Sequence, residues 1–140
     1  MATLDLRAPS ITVKFDKGKT LDPIFYYLSS ASTVINLTGY KARMMVRLTY
    51  TDVAPITGWS VDTEGSAGSK LEVVTGSATL EDGTLVAGAY GIQLDISDVI
   101  TAATTFTSAL FEIELIAPIT LGVLPFIKGT LIPYPEVVYP

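Results

Sequence analysis

From Lys41 to Leu48 the chain alternates: Ala42, Met44, Val46 and Leu48 form one set, Lys41, Arg43, Met45 and Arg47 the other. Successive side chains of an extended backbone point to opposite faces, so this pattern predicts a half-buried β-strand with a basic outer face, entered through the turn at Thr38-Gly39. The same period of two recurs elsewhere. Ile11, Val13 and Phe15 alternate with Thr12 and Lys14, Ile92, Leu94 and Ile96 with Gln93 and Asp95, and Phe111, Ile113 and Leu115 with Glu112 and Glu114. Residues 24–28 are rich in strand formers, as is the closing run 123–132. Shorter strands are expected around Leu71 and Val73, again around Ala78 and Leu80, and at residues 56–61, where Trp59 serves as a core anchor.

Turn residues separate these runs. Asp16-Lys17-Gly18-Lys19 suggests a hairpin after the first strand, and Glu81-Asp82-Gly83 a second turn. Ser97 is a good N-cap for one helical turn through Val99, Ile100 and Ala103, ending near Thr104-Thr105 because β-branched residues propagate helix poorly. Some eight strands with one helical turn predict an all-β fold, a two-layer antiparallel sandwich. The expected organisation is an N-terminal arm (1–9), the sandwich (10–132) and a proline-rich tail (133–140). Three prolines in the last eight residues argue against a central strand there, and the tail, with Tyr134, Val137 and Tyr139, is expected to pack on a neighbour.

Composition narrows the chemistry. The 140 residues suit one domain. The lack of cysteine and histidine removes disulfides, thiolate nucleophiles, imidazole catalysis and Cys/His metal sites. Hydrophobic residues make up 49% and charged residues 16%, apolar enough to suggest that partners cover some of the surface. Seven Lys or Arg face three Asp in residues 1–50, whereas residues 51–140 carry two Lys and eleven acids. Such opposed charge suits assembly through complementary faces, or else ordinary solvated strands. No signal peptide and no membrane-spanning run is expected, since the longest apolar stretch, 117–127, is short and carries Pro118, Gly122 and Pro125.

Glu112 and Glu114 share a strand face and could be imagined as a glycosidase pair, but partners for Arg43 or Arg47 across the sheet are the simpler reading. Asp62, Glu64, Asp82, Asp95 and Asp98 lack calcium-loop spacing, so no metal is expected. The glycine-rich loop 63–69 leads to no Gly-Lys-Ser or Gly-Lys-Thr and cradles no phosphate. Lys41, Arg43 and Arg47 lack interleaved aromatics, so a protein partner or the chain's own acids, and not nucleic acid, are expected to meet them. No catalytic residue and no cofactor are expected.

Taken in order, Leu37-Thr38-Gly39-Tyr40-Lys41-Ala42-Arg43 with Arg47, Ile92 to Ser97 followed by Thr101-Ala102-Ala103, residues 109–115, and the closing Gly129 strand leading to Pro135-Glu136-Val137 resemble the N-terminal domain of the phage baseplate upper protein family. The match departs from that family at Phe106-Thr107-Ser108-Ala109 and in a longer 51–88 region. The resemblance implies an immunoglobulin-like sandwich acting as a non-enzymatic virion adaptor that docks fibres or neighbouring tail, neck or baseplate subunits. It further implies a symmetric homo-oligomer in the virion, assembled in the host bacterial cytoplasm, without membrane or nucleic-acid partners. A capsid decoration protein is one alternative. Another is a carbohydrate-binding sandwich using Trp59, Tyr26, Tyr27 or Tyr90.

Overall fold

A computed structural model describes residues 10–29, 33–49, 56 and 59–134. The N-terminal arm, Val137 and Tyr139 lie outside the described residues. Eight strands and one helix are described: β1 (Ser10–Asp16), β2 (Ile24–Tyr27), β3 (Lys41–Arg47), β4 (Val61–Asp62), β5 (Ser69–Thr79), β6 (Leu85–Ile96), α1 (Asp98–Ala102), β7 (Ala109–Ile116) and β8 (Val123–Tyr134). They form two sheets, of order β1-β8-β7-β3-β4 and β2-β6-β5, an all-β sandwich.

The alternation in sequence becomes the wall of the core. Ala42, Met44 and Val46 of β3 meet Leu115, Ile113 and Phe111 of β7 in register, all buried. Ile92, Leu94 and Ile96 face them from β6, each at most 1% exposed. Leu48 departs from the expected pattern: β3 ends at Arg47, and Leu48 is exposed. Trp59 is a core anchor, 2% exposed, with ring centroids 5.1 Å from Phe15 and 5.7 Å from Phe106. It sits in a turn and not in a strand, since β4 is only Val61–Asp62.

Three other expectations are corrected. First, β1 does not form a hairpin with β2. It pairs in parallel with β8, Ser10 beside Lys128 through Asp16 beside Tyr134, so the sheets are not wholly antiparallel. The turn after β1 instead carries the chain across to the second sheet, where Leu21 exchanges both backbone hydrogen bonds with Ile96. Second, the two short strands expected around Leu71 and Ala78 are one strand of 11 residues. The register shift opposite Gly76 and Ala78 places its extra residue on β6, where Ala89 pairs with Gly76 and Val86 with Ala78 and Gly88 takes a positive φ, so β5 continues unbroken. Third, β8 continues through Pro133 and Tyr134, two residues into the segment expected as a tail.

The prolines of β8 sit where a missing N–H is tolerated. Pro125 pairs with β7 before the β1 register begins at Lys128, and Pro133 pairs with β1 after the β7 register has ended at Leu131. A second register shift, between Ile113 and Glu114, inserts Phe126 and puts both Phe126 and Ile127 in the core. The capped helical turn forms as expected, with Ser97 Oγ accepting from the Ile100 N–H, although it ends at Ala102.

Candidate interaction surface

The outer face of the five-stranded sheet gathers most of the residues singled out by sequence. Strand register lays them out in rows: Arg43 between Glu114 and Asp62, Met45 beside Glu112 with Lys128 beyond, and Arg47 beside Leu110 with Thr130 and Thr12 beyond. The basic strand is therefore interleaved with acids from β7 and β4. Arg43 pairs with Glu114 at 3.6 Å, the partner expected for it. Lys41 pairs at 2.9 Å with Glu64, from the loop after β4. The hydrogen bond and the charge of Glu64 hold the Lys41 ammonium above the ordinary lysine range.

Arg47 differs from its two neighbours. It forms no ion pair among the described residues; its Nη2 lies 3.8 Å from Met45 Sδ, and its Nε is buried without a hydrogen-bond partner. It lines a shallow concavity of about 330 Å³ together with Met45, Leu110, Glu112, Glu114 and Lys128. A guanidinium presents five donors in a rigid fork, so the half-buried Arg47 beside this mixed apolar and charged hollow can offer Nη donors to an acceptor from outside, while its enclosed Nε reaches none. The sequence named Arg47 but could not separate it from Arg43, because both sit at the same phase of one strand. Tyr134 is placed away from this concavity, at the end of β8 beside Asp16, and is exposed.

The aromatics considered for sugar binding are mostly occupied. Trp59 is enclosed, Tyr27 stacks on Phe126 at 5.3 Å, and Tyr90 packs against the core while its Oη accepts from Thr38 Oγ1. Tyr26 is the exception; it alternates with the inward Phe25 and Tyr27, and its hydroxyl lies over Gly76. The acids considered for calcium are dispersed. Asp62 and Asp82 close local turns through the Glu64 and Thr84 N–H groups, and Asp95 accepts from the Gly68 N–H. Thr84 also depresses the Asp82 carboxyl through its side-chain and backbone hydrogen bonds.

One constellation had no signal in the sequence. The Thr101 side chain, in a fully buried residue, donates towards the Lys19 carbonyl at 2.7 Å and accepts from the Gly18 N–H at 3.1 Å, tying α1 to the turn after β1. Among the described residues no helix is long and apolar enough to cross a membrane. The geometry thus defines a two-sheet β-sandwich with a charge-laced outer face and, among the described residues, one arginine whose Nε is buried without a partner. Compared with known proteins, the chain matches no family model and no curated sequence.

Proposed function

We propose that the chain is a non-enzymatic structural subunit of a tailed-phage virion, an adaptor whose immunoglobulin-like sandwich docks fibres or neighbouring tail, neck or baseplate proteins. The observation that carries this reading is the strand order. Immunoglobulin domains place their C, F and G strands in one sheet and B, E and D in the other. Here β3, β7 and β8 share one sheet and β2, β6 and β5 the other, the same distribution in chain order, although the first strand departs from it by pairing with β8 and not with β2. Phe25 of β2 stacks on Phe111 of β7 at 6.5 Å, bridging the two strands that carry the inter-sheet disulfide in antibody domains. The Leu37 to Arg47 stretch that carries the family resemblance supplies β3, whose outer face presents Arg47 for a partner.

Mass spectrometry of density-banded phage particles tests the proposal. Peptides of this chain are expected at a fixed ratio to the major tail or head protein; their absence from intact particles sinks it. A second reading rests on Tyr26 alone: a sugar-binding module would give specific signal on a glycan array, and that signal should vanish in Tyr26→Ala.

A further inference from the structure

The hydrogen bonds of β6 show which side of β5 is free. Ile96 exchanges both of its backbone bonds with Leu21, and the Leu94 N–H donates to Pro23 O, so these residues face the β2 side and their neighbours Asp95 and Gln93 face β5. Through the register, Lys70, Glu72, Val74 and Gly76 of β5 turn their N–H and C=O groups to β6. Two bonds at the ends of the strand agree: the Leu80 N–H points the same way, to Thr84 O, and the Ser69 N–H points outward, to Ser66 O. Leu71, Val73, Thr75, Ser77 and Thr79 therefore turn their backbone groups away from the sheet, and among the described residues nothing bonds to them.

Leu71 is 1% exposed, so its main chain is closed to a partner. Val73 is half-buried and Thr75, Ser77 and Thr79 are exposed, which leaves four open residues in the strip 73–79. The usual protections of a sheet edge are missing there: the strip has no proline and no charge, and the bulge lies on β6. The other edges are guarded. β2 and β4 have four and two residues, and β1 carries Lys14 and Asp16. The strip is also symmetrical by residue class about Gly76, with Thr75 answering Ser77 and Val74 answering Ala78, and the β-branched Val73 answering Thr79.

We propose that β5 pairs antiparallel with β5 of a second copy about a two-fold axis at Gly76. In this register all four open residues find one another: Val73 pairs with the partner's Thr79 and Thr75 with the partner's Ser77, with the reciprocal pairs, each exchanging two hydrogen bonds. Moving the axis to Thr75 sets Thr79 against the enclosed Leu71, and moving it to Ser77 carries Val73 past the end of β5. Residues of like parity meet, so core-facing side chains stay on one side and two three-stranded sheets become one of six. The Thr75 and Ser77 hydroxyls add a cross-strand contact. At each end Lys70 and Glu72 of one copy come towards Glu81 and Asp82 of the other, an excess of acid that salt screens. This pairing goes beyond the virion reading and does not rest on it.

The test is light scattering of the full chain in about 0.5 M salt, up to about 1 mM protein, where repulsion at the ends is screened and weak contacts are populated. The wild-type mass should rise from monomer to dimer with concentration. Thr75→Pro removes an N–H that bonds nothing in the single chain, and Thr75→Lys puts a charge on the edge; each should melt close to wild type and dimerise at least tenfold more weakly. Because the chain has no cysteine, disulfide trapping reads the register. Thr75→Cys mixed with Ser77→Cys should cross-link under mild oxidation. Either variant alone should not, since two copies of position 75, or of position 77, are diagonal neighbours too far apart to bridge. Three results would each overturn the inference: a wild type that stays monomeric, leaving the edge to a strand from another protein; folded Thr75 variants that dimerise like wild type; or a mixture that cross-links no better than its components. Each leaves the virion reading standing, whereas absence from particles removes that reading whatever the scattering gives.

Discussion

Thr101 shows how much one hydroxyl can carry. Its Oγ1 serves the Gly18 N–H and the Lys19 carbonyl, both contributed by a turn 83 and 82 residues away in sequence, and it also lies 3.1 Å from the Asp98 carbonyl. Thr101→Val keeps the shape and removes the bonds, leaving backbone groups beside a buried side chain unpaired. The expected cost is about 1–3 kcal/mol, measured by urea unfolding, whereas Thr104→Val, where only the Ile100 carbonyl at 3.4 Å loses a donor, should cost less. Nothing in the alternation or composition marks Thr101, because its partners are brought to it only when β1 and α1 meet. Trp59 is the opposite case. Its burial was legible because a large lone aromatic between polar loops has few stable places other than a core.

At the scale of elements, the chain's direction changes were harder to read than its strands. Period-two alternation says which face is buried and is silent about which strand lies alongside, so β1 was identified correctly and its partner was not. The parallel pairing of β1 with β8 depends on close backbone approach at Gly129, where a Cβ would run into the Ile11 backbone. Gly129→Ala is therefore expected to destabilise by about 3 kcal/mol, the upper range for overpacking, and to raise amide exchange in residues 10–16 before the rest of the sheet. A result near zero would mean that β1 is not docked on β8. The 11-residue β5 was misread for a related reason: its better-buried positions change parity midway, from Leu71 and Val73 to Gly76 and Ala78, and two phases of one strand look like two strands.

Across the described residues, the basic and acidic halves of the chain are brought together on one face of the molecule. On the five-stranded sheet, Arg43 from the basic half lies between Glu114 and Asp62 from the acidic half, and Lys41 pairs with Glu64, so the two halves meet within one face. Arg43 and Arg47 should then separate cleanly. Arg43→Gln loses a half-exposed ion pair and should cost up to about 1 kcal/mol, in a salt-dependent way. Arg47→Gln breaks no ion pair among the described residues and should leave stability within about 0.5 kcal/mol. If this face meets a virion partner, however, Arg47→Gln should lower incorporation into particles more than Arg43→Gln does. Equal incorporation of both variants would remove Arg47 from the interface.

The sequence by itself determined the all-β class, the strands that wall the core, the helical cap at Ser97 and the burial of Trp59, because these follow from local periodicity, capping chemistry and side-chain size. It also picked out the basic row of Lys41, Arg43 and Arg47. Only the tertiary structure decided that β1 runs parallel to β8, that bulges on β6 and β8 shift the strand registers, that Thr101 joins α1 to a distant turn, and that, among the described residues, Arg47 alone of its row pairs with no carboxylate. Each of those depends on which segments become neighbours, and a one-dimensional pattern records the faces of a strand without recording what lies across from them.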